Sequence, residues 1–125
     1  MATAIKPKAL IIDDQLGIAT LIEQALARKG WQCVVLDDPM KLEAVLKPGF
    51  DLVVCDFKMP DRNGLEVLQY LREHDPRLAK RFVLMTGNPS ELANREQETS
   101  GIILLLKPFA LTQLLDAVQR VANQD

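Results

Sequence analysis

Residues 52–64 read LVVCDFKMPDRNG, an apolar run that ends at Asp56 and gives way to a loop containing Pro60 and Gly64. The run is apolar at every position before the aspartate, which is typical of a strand buried on both faces of a parallel sheet. In open α/β sheets, the loops that follow the carboxyl ends of such strands form the ligand crevice. We therefore expect the Asp56 carboxylate to lie in a binding crevice.

Three other apolar runs also end in polar side chains. These are Asp13 and Asp14 after the first run, Thr86 after the fourth, and Lys107 after the fifth. Two carboxylates about 4 Å apart repel each other by roughly 4 kcal/mol at an effective dielectric of about 20. A divalent cation removes that repulsion, and oxygen ligands suit Mg²⁺ better than Zn²⁺. The strand ends therefore predict a magnesium site that also contains a hydroxyl and an amine.

Five apolar runs alternate with helical patterns along the chain. This order predicts a parallel sheet that is covered on both sides by right-handed crossovers. We expect strands around Ala9–Asp13, Gln32–Leu36, Leu52–Cys55, Phe82–Met85 and Ile102–Leu106.

The intervening patterns predict five helices. The first follows the acidic pair and stops before Gly30, the second is short and lies near Met40–Leu46, and the third stops near His74. Residues 90–100 contain only two apolar positions, so the fourth helix is expected to be marginal and mobile. The fifth has a clear apolar face from Leu111 to Val121.

Length and charge limit the class of protein. A chain of 125 residues fits one domain, 1–125, with about residues 1–7 as an extension before the first strand. The formal net charge is −2 and no long basic run occurs, so direct binding to nucleic acid is not expected. The start of the chain has neither a signal-peptide pattern nor a membrane anchor, which favours a cytoplasmic location. Motifs that bind dinucleotides or nucleotides are absent.

In this order and at these strand ends, the polar residues resemble the receiver domain of two-component response regulators, and the resemblance covers nearly the whole chain. It implies a flavodoxin-like, doubly wound sheet of five parallel strands in the order 2-1-3-4-5. It also implies that a histidine kinase or histidine phosphotransfer protein donates a phosphoryl group to Asp56 in the presence of Mg²⁺. Such a protein is a switch that assists its own phosphorylation and dephosphorylation, not a turnover enzyme, and it signals to an output domain or a downstream protein.

The resemblance also assigns roles around the metal. It implies that Asp14, Asp56 and the backbone carbonyl of Lys58 are direct Mg²⁺ ligands, while Asp13 acts through a metal-bound water.

The phosphoryl oxygens need further partners. Negative charge spreads over these oxygens during transfer, so Lys107 is expected to neutralise part of it and Thr86 to donate a hydrogen bond. Backbone N–H groups of Phe57 and Gly87 are expected to complete the cradle, with Gly87 allowing close approach of the backbone.

One residue departs from the family pattern. Three residues before Lys107 the family usually carries Tyr or Phe, whose movement reports phosphorylation, and here the residue is Leu104. We expect the signal to pass instead through Thr86 and the segment that follows it.

Two alternatives remain open on sequence alone. A Mg²⁺-dependent phosphohydrolase of the haloacid dehalogenase type also uses a strand-end aspartate, but it requires a second aspartate two residues later, where this chain has Lys58. A degenerate receiver that serves only as an interaction module is the other alternative. The complete set of acids, hydroxyl and amine argues against it.

Overall fold

The computed structural model describes residues 5–123 and contains one parallel sheet of five strands. The strands are β1 (Lys8–Ile12), β2 (Gln32–Leu36), β3 (Leu52–Asp56), β4 (Phe82–Thr86) and β5 (Ile103–Leu106). Their order is β2-β1-β3-β4-β5, and every neighbouring pair is parallel. This confirms the fold class and the strand order, and each predicted strand boundary lies within one residue of the observed one.

Helices flank the sheet on both faces. They are α1 (Leu16–Ala27), α2 (Leu42–Val45), α3 (Gly64–His74), α4 (Pro76–Ala79), α5 (Glu96–Thr99) and α6 (Leu111–Ala122), with 3₁₀ turns at Pro39–Lys41 and Pro89–Leu92. Because parallel strands need crossovers, the sheet separates two apolar clusters. One packs against α3 and its neighbours, and the other packs against α1 and α6.

The prediction of five helices was wrong by one. Residues after His74 form the extra helix α4, in which Pro76 occupies the first turn and the Asp75 side chain accepts a hydrogen bond from the Leu78 N–H. Proline is tolerated in a first turn because its missing N–H would have no partner there. The residues that were expected to end α3 therefore also begin the next helix.

The fourth crossover contains little regular helix, as its polar sequence predicted. It holds the 3₁₀ turn Pro89–Leu92 and the single turn of α5, and Leu92 is its one buried residue between positions 87 and 102.

The described residues before β1 lie outside the strands. The expected extension lies partly outside the described residues, and its residues 5–7 are exposed and precede β1. None of the helices in the described part of the chain has the length and hydropathy that a transmembrane span requires.

Candidate functional site

The polar strand ends meet at one edge of the sheet. In the register of the sheet, Ile12 lies beside Cys55, Asp56 beside Met85, and Thr86 beside Leu106. Because all five strands are parallel, the residues that follow these positions emerge on the same side of the molecule. The structure thus brings together the groups that the sequence analysis selected.

Three carboxylates form the acidic part of the site. Oxygen atoms of Asp13, Asp14 and Asp56 lie within 4.8 Å of one another. Asp13 is completely buried, Asp56 is 7% exposed and Asp14 is exposed. Asp13 Oδ1 accepts a hydrogen bond of 2.9 Å from the Gln15 N–H, just before α1. This contact fixes the Asp13 carboxylate in the interior.

Lys107 supplies the positive charge of the site. Its Nζ lies 2.9 Å from Asp56 Oδ1 and 3.5 Å from Asp13 Oδ2, and its side chain is 18% exposed. The backbone N–H of Lys107 donates to the Thr86 carbonyl, which anchors the residue to the end of β4. One amine therefore faces two of the three carboxylates.

Burial and like charge act against ionisation of the acids. Burial raises the pKa of Asp56, and Lys107 opposes that rise through a hydrogen bond and its charge. Burial also raises the pKa of Asp13, against the hydrogen bond from Gln15, and the charge of Asp56 adds to the rise. A single amine does not neutralise the carboxylates.

The residues fit a divalent cation. Among the described residues, Asp13 Oδ2 is the one buried side-chain oxygen or nitrogen that makes no hydrogen bond, and its nearest cation, Lys107 Nζ, lies 3.5 Å away. A buried acceptor in that state costs about 1–3 kcal/mol, and a cation with its bound water would relieve the cost. All donors in the cluster are hard oxygens, which matches Mg²⁺.

Thr86 and Gly87 line a cavity beside Asp56. The cavity has a volume of about 320 Å³, and Lys58, Asn88 and Glu91 also contribute to its wall. The Thr86 hydroxyl accepts a hydrogen bond of 3.1 Å from the Asn88 N–H and donates one of 3.3 Å to the Asn88 carbonyl. In this state the hydroxyl is bound to its own loop.

The close approach expected at Gly87 concerns a phosphoryl group, and it stays a prediction. A Cβ atom added there would lie 3.9 Å from Lys107 Cβ, which is ordinary contact, and its φ is not in the left-handed region. Among the protein's own atoms the position therefore has room for a small side chain.

The role expected for the Phe57 N–H in the phosphoryl cradle stays a prediction, and this N–H partly offsets the rise that burial causes in the pKa of Asp56 by hydrogen bonding to its carboxylate. The same N–H donates a hydrogen bond of 2.8 Å to the Met85 carbonyl and so continues the ladder between β3 and β4. The next N–H, that of Lys58, makes no hydrogen bond within residues 5–123, and the same holds for Gly87. The N–H groups of Lys58 and Gly87, which line the cavity beside Asp56, are therefore further candidate donors.

Gly64 is a residue of the site that the sequence analysis did not select. A Cβ atom there would lie 2.7 Å from the Asp56 carbonyl oxygen and 2.5 Å from Leu84 Cδ1. The Gly64 N–H donates to the Phe57 carbonyl at 2.8 Å. The start of α3 thus packs directly on the backbone that carries Asp56. Its place between the loop and the apolar pattern of α3 was a signal, but only the fold reveals the close contact.

Comparison with known proteins agrees with this arrangement. The family model for the response regulator receiver domain matches residues 9–119. Sporulation initiation phosphotransferase F of Bacillus subtilis is 30% identical over 90% of this chain and 91% of its own length. The DNA-binding transcriptional regulator NtrC of Azospirillum brasilense is 32% identical over 93% of this chain, which spans only 24% of that protein.

Solved structures share the fold. The non-phosphorylated HemR receiver domain of Leptospira biflexa aligns with a TM-score of 0.82 at 25% identity, covering 96% of this chain and 97% of that one. Chemotaxis protein CheY4 of Vibrio cholerae aligns with a TM-score of 0.81 at 25% identity, covering 94% and 99%. Sequence, fold and the clustered strand-end residues agree, and the chain belongs to the response regulator receiver domain family.

Proposed function

We propose that this receiver domain accepts a phosphoryl group on Asp56 from a phosphohistidine of a histidine kinase or phosphotransfer protein. The observation that carries the proposal is the pairing of Lys107 Nζ with Asp56 Oδ1 at 2.9 Å, inside a cluster of three carboxylates. Receiver domains are phosphoacceptor switches and not turnover enzymes. We propose further that this chain assists its own phosphorylation and dephosphorylation.

The transfer exchanges one bond for another. An Asp56 carboxylate oxygen attacks phosphorus, the phosphorus–nitrogen bond of the donor breaks, and its electron pair returns to the imidazole nitrogen. The product is an acyl phosphate on Asp56. Lys107 lies where it can neutralise a phosphoryl oxygen, and the N–H groups of Lys58 and Gly87 offer further donors.

We assign the cation to the acidic side of the site. Asp14, Asp56 and the Lys58 carbonyl would hold Mg²⁺ directly, and Asp13 would act through a bound water. When bound, Mg²⁺ supplies positive charge that offsets the carboxylates and the phosphoryl oxygens. In its absence Lys107 divides its charge between Asp56 and Asp13, at 2.9 and 3.5 Å.

An apolar groove beside the site supports a protein phosphodonor. It has a volume of about 590 Å³ and lies between α1 and the start of α6. Its wall includes Ile18, Leu21, Pro108, Phe109 and Leu111, and it reaches Lys107. Leu21 and Leu111 are 56% and 46% exposed, and together with the rest of the wall they form a contiguous apolar surface of the kind that partners cover. A helix of the donor docked here would approach Asp56 past Lys107.

Neither alternative is favoured. A haloacid-dehalogenase-type phosphohydrolase would place an aspartate where Lys58 stands, and the family match does not support that class. A degenerate receiver that serves only as an interaction module would not need the Lys107 amine to pair with the Asp56 carboxylate. The experiment below separates it from an active receiver.

The test is phosphorylation by acetyl phosphate with Mg²⁺, followed by intact mass and peptide mapping. We expect one added phosphate on Asp56, and none in Asp56→Asn or in EDTA, because acceptor and cation are both needed. Asp116→Asn is the matched control, since this carboxylate lies on the exposed face of α6. Equal labelling of Asp56→Asn would refute the assignment, and a parent that takes up no phosphate from any donor would favour the degenerate receiver.

A further inference from the structure

A guanidinium on α3 holds the far end of the fourth crossover. Arg72 Nη1 donates to the Glu98 carbonyl at 2.8 Å, and Arg72 Nη2 donates to the Ser100 carbonyl at 2.9 Å. These carbonyls lie at the end of α5, where backbone acceptors lack partners within the helix. Arg72 therefore caps α5 from another element, with two charge-assisted hydrogen bonds.

The crossover segment, residues 87–102, has few other ties. Leu92 is its one buried side chain, and Ile102 packs in part against the same apolar cluster. The ion pair between Arg95 and Glu98 lies within the segment, so it joins the segment to nothing else. Apart from Thr86 and the strand ladder, the hydrogen bonds that connect the segment to the rest of residues 5–123 are those of Arg72.

The near end of the segment is tied to the phosphorylation site. The Thr86 hydroxyl holds the Asn88 N–H and carbonyl at 3.1 and 3.3 Å. A Thr86 hydroxyl that turned to donate to a phosphoryl oxygen would break its bond to the Asn88 carbonyl. The remaining contacts that hold the segment in place would then be the buried Leu92 side chain and the hydrogen bonds from Arg72 to the carbonyls of Glu98 and Ser100. All of these contacts are six or more residues after Thr86.

We propose that Arg72 is a latch that favours the resting arrangement of residues 87–102 and so opposes phosphorylation. This proposal rests on the proposed function of Asp56. The guanidinium is a rigid fork whose two donors fit carbonyls two residues apart. A displacement of about 1 Å lengthens both hydrogen bonds beyond useful geometry, so the latch holds only while the segment stays in place.

The test compares Arg72→Ala and Arg72→Lys with the parent by two measurements. The first is hydrogen exchange of residues 93–101 without Mg²⁺ or phosphate analogue. The second is the affinity for beryllofluoride, an analogue of the phosphoryl group, with Mg²⁺ present. Lysine keeps the charge but not the fork, and it serves if the alanine variant does not fold. Arg77→Ala is the control, because Arg77 also donates two hydrogen bonds, to the Phe50 carbonyl and the Asp51 carboxylate, and neither acceptor belongs to residues 87–102.

We expect Arg72→Ala to speed exchange in 93–101 by about tenfold and to tighten beryllofluoride binding by about three- to tenfold, because bonds to a charged donor are lost from the resting state alone. Arg72→Lys should be intermediate, and Arg77→Ala should change neither quantity. Faster exchange with unchanged or weaker binding would overturn the latch and leave only a structural cap. Unchanged exchange would overturn it as well. A parent that binds no beryllofluoride would instead refute the proposed function of Asp56.

Discussion

Asp13 shows how one buried residue can favour function over stability. It is fully buried, one of its oxygens makes no hydrogen bond, and burial raises its pKa above the ordinary 3.8 despite the Gln15 hydrogen bond. The folded protein therefore binds a proton at Asp13 more tightly than the unfolded chain does. Ionised Asp13 destabilises the fold above its folded-state pKa, and the cost is relieved as the pH falls toward 3.8.

Asp13→Asn should accordingly stabilise the protein in EDTA, by about 1–3 kcal/mol at pH 7, since an uncharged amide replaces an unsatisfied carboxylate. The gain should shrink as the pH falls from 7 to about 4, because the parent then takes up its proton at this residue. Urea unfolding at several pH values measures this difference in stability between variant and parent. Asp37→Asn is the control, because Asp37 is exposed. An equal or lower stability of Asp13→Asn at pH 7 would contradict the account.

Gly64 limits the site through space, not charge. Gly64→Ala should destabilise the protein by about 1–3 kcal/mol and slow phosphorylation by acetyl phosphate, because the new methyl group meets the fixed Asp56 carbonyl oxygen 2.7 Å away. Gly17→Ala in α1 is the control, since no atom lies within 4 Å of its added Cβ and alanine favours a helix. If Gly64→Ala matched the parent in both denaturation and labelling, the contact would not constrain the loop.

At the scale of elements, the sequence predicted the strands better than the shortest helices. Runs such as Leu52–Asp56 are apolar throughout and end in charged residues, so burial on both faces defines their limits. Helix α4 has four residues, too few for a helical period to show.

The sequence also could not predict which backbone N–H group at a strand end donates to the neighbouring strand. Successive N–H groups at a strand end point in opposite directions, and which one meets a neighbour depends on register. That is why Phe57, and not Lys58, donates to Met85. The carboxylates and the amine of the site could be predicted because a side chain at a strand end needs no such detail.

The groove between α1 and α6 carries a prediction about partners. Leu21→Ser should slow phosphoryl transfer from a phosphorylated histidine phosphotransfer protein by about tenfold, a loss expected for one buried interface side chain. The rate with acetyl phosphate should not change, because that donor needs no protein contact. Leu104→Ser is the matched control, a leucine 45% exposed on β5 and outside the groove. A slower reaction with both donors would show that Leu21 acts on the site and not on docking.

At the scale of the whole molecule, folding and the acidic site are linked. We propose that the chain forms one domain, since both apolar clusters pack on the same sheet. The sequence of this chain matches 91% of the length of the sporulation phosphotransferase relative and 24% of the NtrC relative, so the matching region makes up almost all of one protein and a small part of the other. A ligand at the carboxylate cluster should then stabilise the entire domain, because the cluster joins β1 to β3 and exists only in the folded state.

Mg²⁺ should therefore raise the melting temperature in a single transition. At a concentration ten times its dissociation constant, a ligand that binds only the folded state adds about 1.4 kcal/mol. For a domain of this size that is a rise of about 3–6 °C. Calorimetry in Mg²⁺ and in NaCl of equal ionic strength measures it, and Asp14→Ala should lose most of the rise because a direct ligand is removed. A rise of the same size in NaCl would show that salt screens the repulsion between the carboxylates and that Mg²⁺ does not bind them specifically. Two separate transitions would contradict the single domain, because a cluster that joins β1 to β3 should melt with the sheet that holds it.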